Sequence, residues 1–259
     1  QPVKLTNDQG KLTNYLKKET DLVGRKTWND GQYAGRPTTV QLHLYRQADG
    51  ESTWEEVTGA MPVWYRNSDD TWSFVYERIS RTNASGAEYR YKVEEEVPKD
   101  YRVSYSKDSD GNQVLLENVG DGSLTLTKEV TGSGGEPFRE FHFTITVGTL
   151  PDGSKLPDGV YGEVSFRDGK AAITLKSGES VRADQLPGMV SYTVTEEEAN
   201  LDRYRTTSEA DQGVIQPFAV TEVKFTNSRT SDDKDRPVKP SPANTTTTGY
   251  GPGAIPGPA

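Results

Sequence analysis

The chain has 259 residues, which is enough for two domains of ordinary size rather than one. Its formal net charge of −9 argues against nucleic acid and anionic membranes as partners. It contains no cysteine, so disulfides and thiolate metal sites are excluded. No apolar run approaches the ~20 residues of a membrane-spanning helix, so we expect no membrane insertion.

Short segments in which apolar and polar residues alternate recur along the chain. Examples are TTVQLHLYR at 38–46, TWSFVYERI at 71–79, FHFTITV at 141–147 and VTEVKFTN at 220–227. Turn sequences such as NDG, ADGE, SDGN and PDGS separate them. This pattern predicts an all-β protein, and the spacing of the strands favours β-sandwiches.

An internal repeat of about one hundred residues predicts two tandem domains. The corresponding segments are 25–31 and 127–133, 89–106 and 190–208, and 114–120 and 223–229. We therefore predict a first domain at 20–121 and a second at 122–229.

The two ends of the chain differ from this repeat. Residues 1–19 allow two interpretations: a short helix, or the last strand of a truncated preceding domain, with Asn14 in the place that Asn118 and Asn227 hold later. Residues 230–259 contain six prolines and almost no apolar side chains to bury. That composition predicts a disordered linker or tail.

Each repeat carries a lysine, a glutamate and an asparagine in the same order. The residues are Lys26, Glu95 and Asn118 in the first domain, and Lys128, Glu196 and Asn227 in the second. Each shares its strand parity with apolar neighbours, so a period of two directs all six into the cores. Buried polar groups must find partners, so we expect each set of three to converge. The alternative is six ordinary strand residues whose polar ends reach the rim of the sheet.

Convergence in a dry core makes one reaction available. A desolvated lysine loses its proton more easily and becomes a nucleophilic amine. A buried glutamic acid favours its protonated form and can donate a hydrogen bond to the asparagine oxygen. Attack by the amine would release ammonia and leave an isopeptide bond between the first and last strands. We predict Glu95 and Glu196 as proton donors and shuttles. Because the reaction occurs once per domain, no enzyme with turnover is expected.

The motifs of both domains resemble known families. Residues 20–121, with GRKTWNDG, YRYKVEEEVPKDYRVSY and LLEN, resemble a Cna protein B-type domain of Gram-positive surface proteins. Residues 122–229, with LTLTKEVTG and LPGMVSYTVTEEEAN, are similar to the streptococcal-type pilin isopeptide-linkage domain. The resemblance implies immunoglobulin-like β-sandwiches, spontaneous Lys–Asn isopeptide bonds assisted by an acidic residue, and a role in pili or adhesin stalks.

The function expected from these features is that of a structural stalk or shaft segment, extracellular and attached to the cell wall. Its expected partners are neighbouring domains of the same surface protein. The rival is an adhesin domain that binds a host extracellular matrix protein or a glycan. The final residues GAIPGPA lack a sortase sorting signal, and no polymerising lysine motif is evident. Both features favour a tandem stalk segment over a polymerised shaft.

Three other features carry weaker signals. SKDSDGNQVLLE at 106–117 has the spacing of a calcium-binding loop, but both flanks resemble strands, so we predict a hairpin turn. His43 and His142 lie in alternating strands, where solvent-facing positions are expected. The four tryptophans of the first domain favour packing over a carbohydrate platform. We therefore expect no metal and no cofactor.

Overall fold

The computed structural model describes residues 18–232, and this part of the chain contains strands and turns but no α-helix. The all-β class is therefore confirmed. None of the described residues forms a helix that could span a membrane. The interpretations of residues 1–17 and 233–259, which include Asn14 and most of the tail, lie outside the described residues.

Within residues 18–232, the strands follow one another with turns and loops of 2 to 12 residues between them. Their bounds are β1 (Glu19–Asn29), β2 (Leu42–Ala48), β3 (Glu55–Glu56), β4 (Val63–Arg66), β5 (Trp72–Ser80), β6 (Tyr89–Glu95), β7 (Tyr101–Lys107), β8 (Gln113–Thr131), β9 (Phe141–Val147), β10 (Gly159–Tyr161), β11 (Val164–Phe166), β12 (Lys170–Leu175), β13 (Ser180–Pro187), β14 (Ser191–Glu196), β15 (Arg205–Glu209), β16 (Gln212–Val214) and β17 (Val220–Ser228).

In the first sandwich a sheet of order β4-β5-β1-β8-β7 faces the strands β3-β2-β6, and β6 joins β8 at a single parallel pair, Lys92 with Gln113. On β1, Leu22, Gly24 and Lys26 are buried while the residues between them face solvent. Phe74 and Val93 are fully buried in the same core. The alternation seen in the sequence therefore predicts correctly which face of each strand is inside.

The second sandwich packs a sheet of order β13-β8-β17-β15 against a sheet of order β12-β9-β14-β16. The hairpin of β10 and β11 forms a separate two-stranded sheet. The hydrophobic core of the second sandwich is separate from that of the first, and it includes Leu124, Phe143, Val194 and Phe225. Two immunoglobulin-like sandwiches therefore follow each other along the chain.

In both sandwiches the first strand pairs with the last strand, and the register of that pairing is the same. β1 pairs in parallel with β8, and Lys26 lies opposite the residue two positions before Asn118. β8 pairs in parallel with β17, and Lys128 lies opposite the residue two positions before Asn227. The internal repeat read from the sequence thus corresponds to a repeated arrangement of strands.

β8 is a single strand of 19 residues that serves both sandwiches. Its first half closes the first sandwich and its second half opens the second. The sequence predicts two separate strands, at 114–120 and at 124–130. The predicted boundary between the domains, after residue 121, therefore falls inside one unbroken strand. Core side chains of the first sandwich end at Leu116, and those of the second begin at Leu124.

Gly24 tests how tightly the first core is packed. It faces inward on β1, and a Cβ at this position would overlap the ring of Phe74, which is fully buried. We expect Gly24→Ala to lower the free energy of unfolding by about 1–3 kcal/mol, because the ring must leave its rotamer or the strands must separate. Chemical denaturation measures this loss. Gly159→Ala, where a Cβ would make only an ordinary contact, is the matched control.

Candidate functional site

The three predicted residues of the first domain meet around one carboxylate. Lys26 Nζ donates to Glu95 Oε2 at 2.6 Å, and Asn118 Nδ2 donates to Glu95 Oε1 at 2.7 Å. The side chains of Lys26 and Glu95 are completely buried, and so is Asn118. An ion pair and an amide therefore share one carboxylate inside the sandwich.

The second domain repeats this arrangement. Lys128 Nζ donates to Glu196 Oε2 at 2.8 Å, and Asn227 Nδ2 donates to Glu196 Oε1 at 2.5 Å. Both charged side chains are again fully buried. The placement expected from strand parity is confirmed for all six side chains, and none reaches the rim. Their chemical roles remain predictions.

The parallel pairing of first and last strands positions the lysine and the asparagine. Neighbouring strands lie about 4.8 Å apart, so inward side chains at nearly equal heights on the two strands are within reach of each other. The glutamate comes from the facing sheet, on β6 in one domain and on β14 in the other. Each glutamate therefore crosses the core to bridge two adjacent strands.

Burial changes the proton affinity of both lysines. Desolvation lowers the pKa of Lys26 to about 8, although the nearby Glu95 acts in the opposite direction. Desolvation also lowers the pKa of Lys128, against the effect of its bond to Glu196. A lowered pKa enlarges the fraction of neutral, nucleophilic amine at neutral pH.

Aromatic rings form part of the wall around each ammonium. Lys26 Nζ lies 4.6 Å from the centre of the Trp28 ring, and Lys128 Nζ lies 4.2 Å from that of Phe141. Sequence reasoning did not assign these rings to the site. Trp28 was detectable in principle, because it follows Lys26 at the spacing that shares one face of a strand. Phe141 comes from the distant strand β9, and no local pattern links it to Lys128.

Both asparagine side chains keep one buried oxygen without a hydrogen-bond partner. These atoms are Asn118 Oδ1 and Asn227 Oδ1. A half-turn of each carboxamide exchanges its oxygen and nitrogen in nearly the same volume. The oxygen would then face the glutamate, where a protonated carboxylic acid can donate to it. Unsatisfied buried acceptors are costly, and polarised carbonyl groups are electrophilic.

The neighbouring glutamates have other roles. Glu94 forms an ion pair with Lys92 on the outer face of its strand. Glu198 lies beyond the end of β14 and accepts a hydrogen bond from the backbone N–H of His142. Strand parity separates Glu95 from Glu94, whereas Glu198 shares the parity of Glu196 and is set apart by the end of β14.

The weaker sequence signals resolve into ordinary structure. Residues 106–117 form a hairpin turn, in which Asp108 Oδ1 accepts the backbone N–H groups of Asp110 and Asn112. His43, partly exposed on its sheet, lies between Glu56 and Glu96. Among residues 18–232, no group of three or more histidine, aspartate or glutamate side chains is arranged to hold a metal ion.

The protein belongs to the class of tandem immunoglobulin-like β-sandwich proteins, and each of its sandwiches contains a buried triad of lysine, glutamate and asparagine. Residues 22–118 match the family model of the Cna protein B-type domain. Residues 122–229 match the family model of a domain of unknown function, DUF7601. This match is consistent with an isopeptide-linkage domain. The first sandwich is therefore similar to Cna protein B-type domains, and the second is similar to a family with no assigned function.

Curated relatives come from streptococci. The chain is 28% identical over 152 residues to a pilin of Streptococcus pyogenes serotype M1, and the aligned region covers 53% of this chain and 44% of the pilin. It is 42% identical over 77 residues to the pilus tip adhesin Cpa of Streptococcus pyogenes, covering 28% of this chain and 11% of the adhesin. The chain thus spans less than half the length of either relative.

Solved structures of similar proteins include the major pilin from Streptococcus pyogenes. It is 20% identical, the match covers 81% of this chain and 98% of the pilin, and the TM-score is 0.38. The pilus-presented adhesin Cpa is 26% identical, with 46% of this chain and 31% of the adhesin covered and a TM-score of 0.36.

Proposed function

We propose that the chain is a stalk or shaft segment of a Gram-positive cell-surface pilus or adhesin protein, stiffened by one Lys–Asn isopeptide bond in each sandwich. The observation that carries this proposal is the pair of buried triads with the same connectivity. Similarity to a pilin and to a pilus adhesin supports the location at the cell surface.

The reaction needs one proton to move before it starts. Transfer from the Lys26 ammonium to Glu95, across the 2.6 Å hydrogen bond, produces a neutral amine and a carboxylic acid together. The amine nitrogen then bonds to Cγ of Asn118 while the acid polarises the amide oxygen. As this bond forms, the acid gives its proton to the amide oxygen, and the resulting carboxylate takes the excess proton of the attacking nitrogen and passes it to Nδ2. The C=O bond then re-forms and returns the oxygen's proton to the glutamate, while the Cγ–Nδ2 bond breaks and ammonia leaves. Fixed proximity replaces an external catalyst.

The position of the bond suits a protein under tension. The first and last strands of each sandwich carry the incoming and outgoing chain, and they lie parallel and adjacent. Pulling on the two ends therefore shears these strands past each other. A covalent bond between them would carry the load directly and leave the intervening strands unloaded.

A host-binding adhesin domain is the second candidate, favoured by the 42% identity to part of a pilus tip adhesin. A glycan array and a pulldown with extracellular matrix proteins separate the two candidates. A pure stalk segment is expected to retain none of these ligands.

Intact-mass spectrometry tests the proposed bonds. We expect the wild-type chain to be lighter than its sequence mass by two ammonia molecules, because each bond releases one. Glu95→Ala and Glu196→Ala are each expected to restore the mass of one ammonia molecule, since each removes one proton shuttle.

Peptide mapping assigns each deficit to its domain, with Glu94→Ala as a control that leaves both triads intact. A wild-type mass equal to that of the unmodified sequence would refute the chemistry in both domains.

A further inference from the structure

The reactive lysine of the second domain is shielded by side chains of that domain alone. Lys128 contacts Phe141, whose ring meets Tyr204 edge-on at 5.7 Å. The outer face of Tyr204 is covered by Arg229, 4.6 Å from the ring centre, and Arg139 lies 5.6 Å away. This row of lysine, aromatic ring, tyrosine and outer cover is complete within one sandwich.

The first domain builds the same row but takes its outer cover from the second domain. Lys26 contacts Trp28, whose ring meets Tyr101 edge-on at 5.2 Å. The next ring beyond Tyr101 is Phe218, at 5.0 Å, from the loop that precedes β17. Phe218 also stacks flat on Tyr33 of the first domain, with ring centres 4.0 Å apart. One side chain of the second domain thus lies between two aromatic rings of the first.

The backbone holds Phe218 in this position at some cost. Its φ of +52° is a left-handed value that bulky residues rarely adopt. Its N–H donates to the carbonyl oxygen of Asp121 on β8 at 2.8 Å, which fixes the loop to the shared strand. Gly120 lies directly beneath the ring, and a Cβ there would overlap it. A strained residue above a glycine indicates a specific contact between the domains.

We propose that Phe218 is a positioning residue for the bond between Lys26 and Asn118, so that the crosslink of the first domain depends on the folded second domain. This inference rests on the proposed function, since it concerns the efficiency of the same reaction. The second crosslink has no such dependence, because its own domain supplies Arg229 and Arg139.

The physical reason is the exclusion of water from one end of the first core. The Trp28 ring is supported by Trp72 and by Arg36, both of its own domain and each about 5.3 Å away. Its third neighbour, Tyr101, is buried, donates a hydrogen bond to Asp30 and lies against the Phe218 ring. Removing that ring lets water approach Tyr101 and loosens Trp28 over the lysine. A better hydrated Lys26 keeps its proton and reacts more slowly.

The test follows both bonds in the same full-length chain made by cell-free synthesis. Samples denatured at intervals are digested, and the Lys26–Asn118 and Lys128–Asn227 peptides are counted by mass spectrometry. Phe218→Ala is expected to slow the first bond by about tenfold, the change produced by a one-unit rise in the pKa of the amine. The second bond should form at the wild-type rate. The pH profile of the first bond should move to higher pH, because a better hydrated Lys26 keeps its proton more firmly; the carboxyl groups that act on this lysine are those of Glu95 and Glu117.

Phe138→Ala is the matched control, because this phenylalanine is 88% exposed in the second domain. Phe218→Tyr keeps the ring and should restore the wild-type rate. All four tryptophans belong to the first domain, so their fluorescence reports its folding. If the alanine variant loses the native emission, Phe218→Leu is measured in its place, with a rate expected between alanine and wild type.

Equal rates of the first bond in the wild type and in the folded Phe218 variant would overturn the role of Phe218. A wild-type chain without either bond would instead contradict the proposed function itself.

Discussion

Stretched between its ends, the wild-type chain is expected to gain no length from the unfolding of either sandwich. In each domain the proposed bond joins the strands that carry the load, so the 91 residues between Lys26 and Asn118 and the 98 between Lys128 and Asn227 stay outside the force path. A chain carrying Asn118→Ala and Asn227→Ala should instead lengthen by about 300 Å per domain, the reach of that many extended residues. Single-molecule force spectroscopy measures the difference.

Each single asparagine variant serves as a control for the other domain. Asn118→Ala alone should release one extension of about 300 Å and Asn227→Ala alone another. Between the two bonds, force passes through part of β8, which is already extended and has little length to give. Full extension of both domains in the wild-type chain would contradict the mechanical role.

The second large effect is expected in thermal stability. Asn227→Ala should lower the free energy of unfolding of the second domain by about 4–5 kcal/mol, because the lost crosslink encloses about one hundred residues of the unfolded chain. For a domain of this size, that loss corresponds to roughly 15–30 °C in Tm. Differential scanning calorimetry measures it.

Replacing the asparagine is cleaner than replacing the lysine. Asn227→Ala leaves the buried pair of Lys128 and Glu196 intact, so the loss reports the crosslink and the small volume removed. Lys128→Ala would also leave an uncompensated buried carboxylate, which costs about 3–5 kcal/mol more. Equal Tm values for the wild type and Asn227→Ala would mean that no stabilising bond forms in this domain.

A period of two in the sequence is sufficient to place the six triad side chains inside. Lys26, for instance, shares a face with Leu22 and Trp28, and the structure buries it completely. The same parity separates Glu95 from Glu94, which faces outward and pairs with Lys92. These placements are predictable because the pleat of a strand is a local property, and burial of one face fixes the register.

The connection between the domains was not predictable in the same way. The sequence suggests two strands with a boundary near Asp121, whereas β8 continues through it without a break. Gly120 and Gly122 lack side chains where the loop around Phe218 approaches, which allows the strand to remain extended under the second domain. That approach depends on residues almost one hundred positions away.

The amino-acid order alone therefore determined the all-β class, the twofold repeat and the inward direction of each triad residue, because these follow from local alternation and composition. Only the tertiary structure decided that one glutamate crosses from the facing sheet to bridge two parallel strands. It also decided that Phe218 of one domain covers Tyr101 of the other. Such contacts arise from the packing of sheets and domains, which no period within a single strand records.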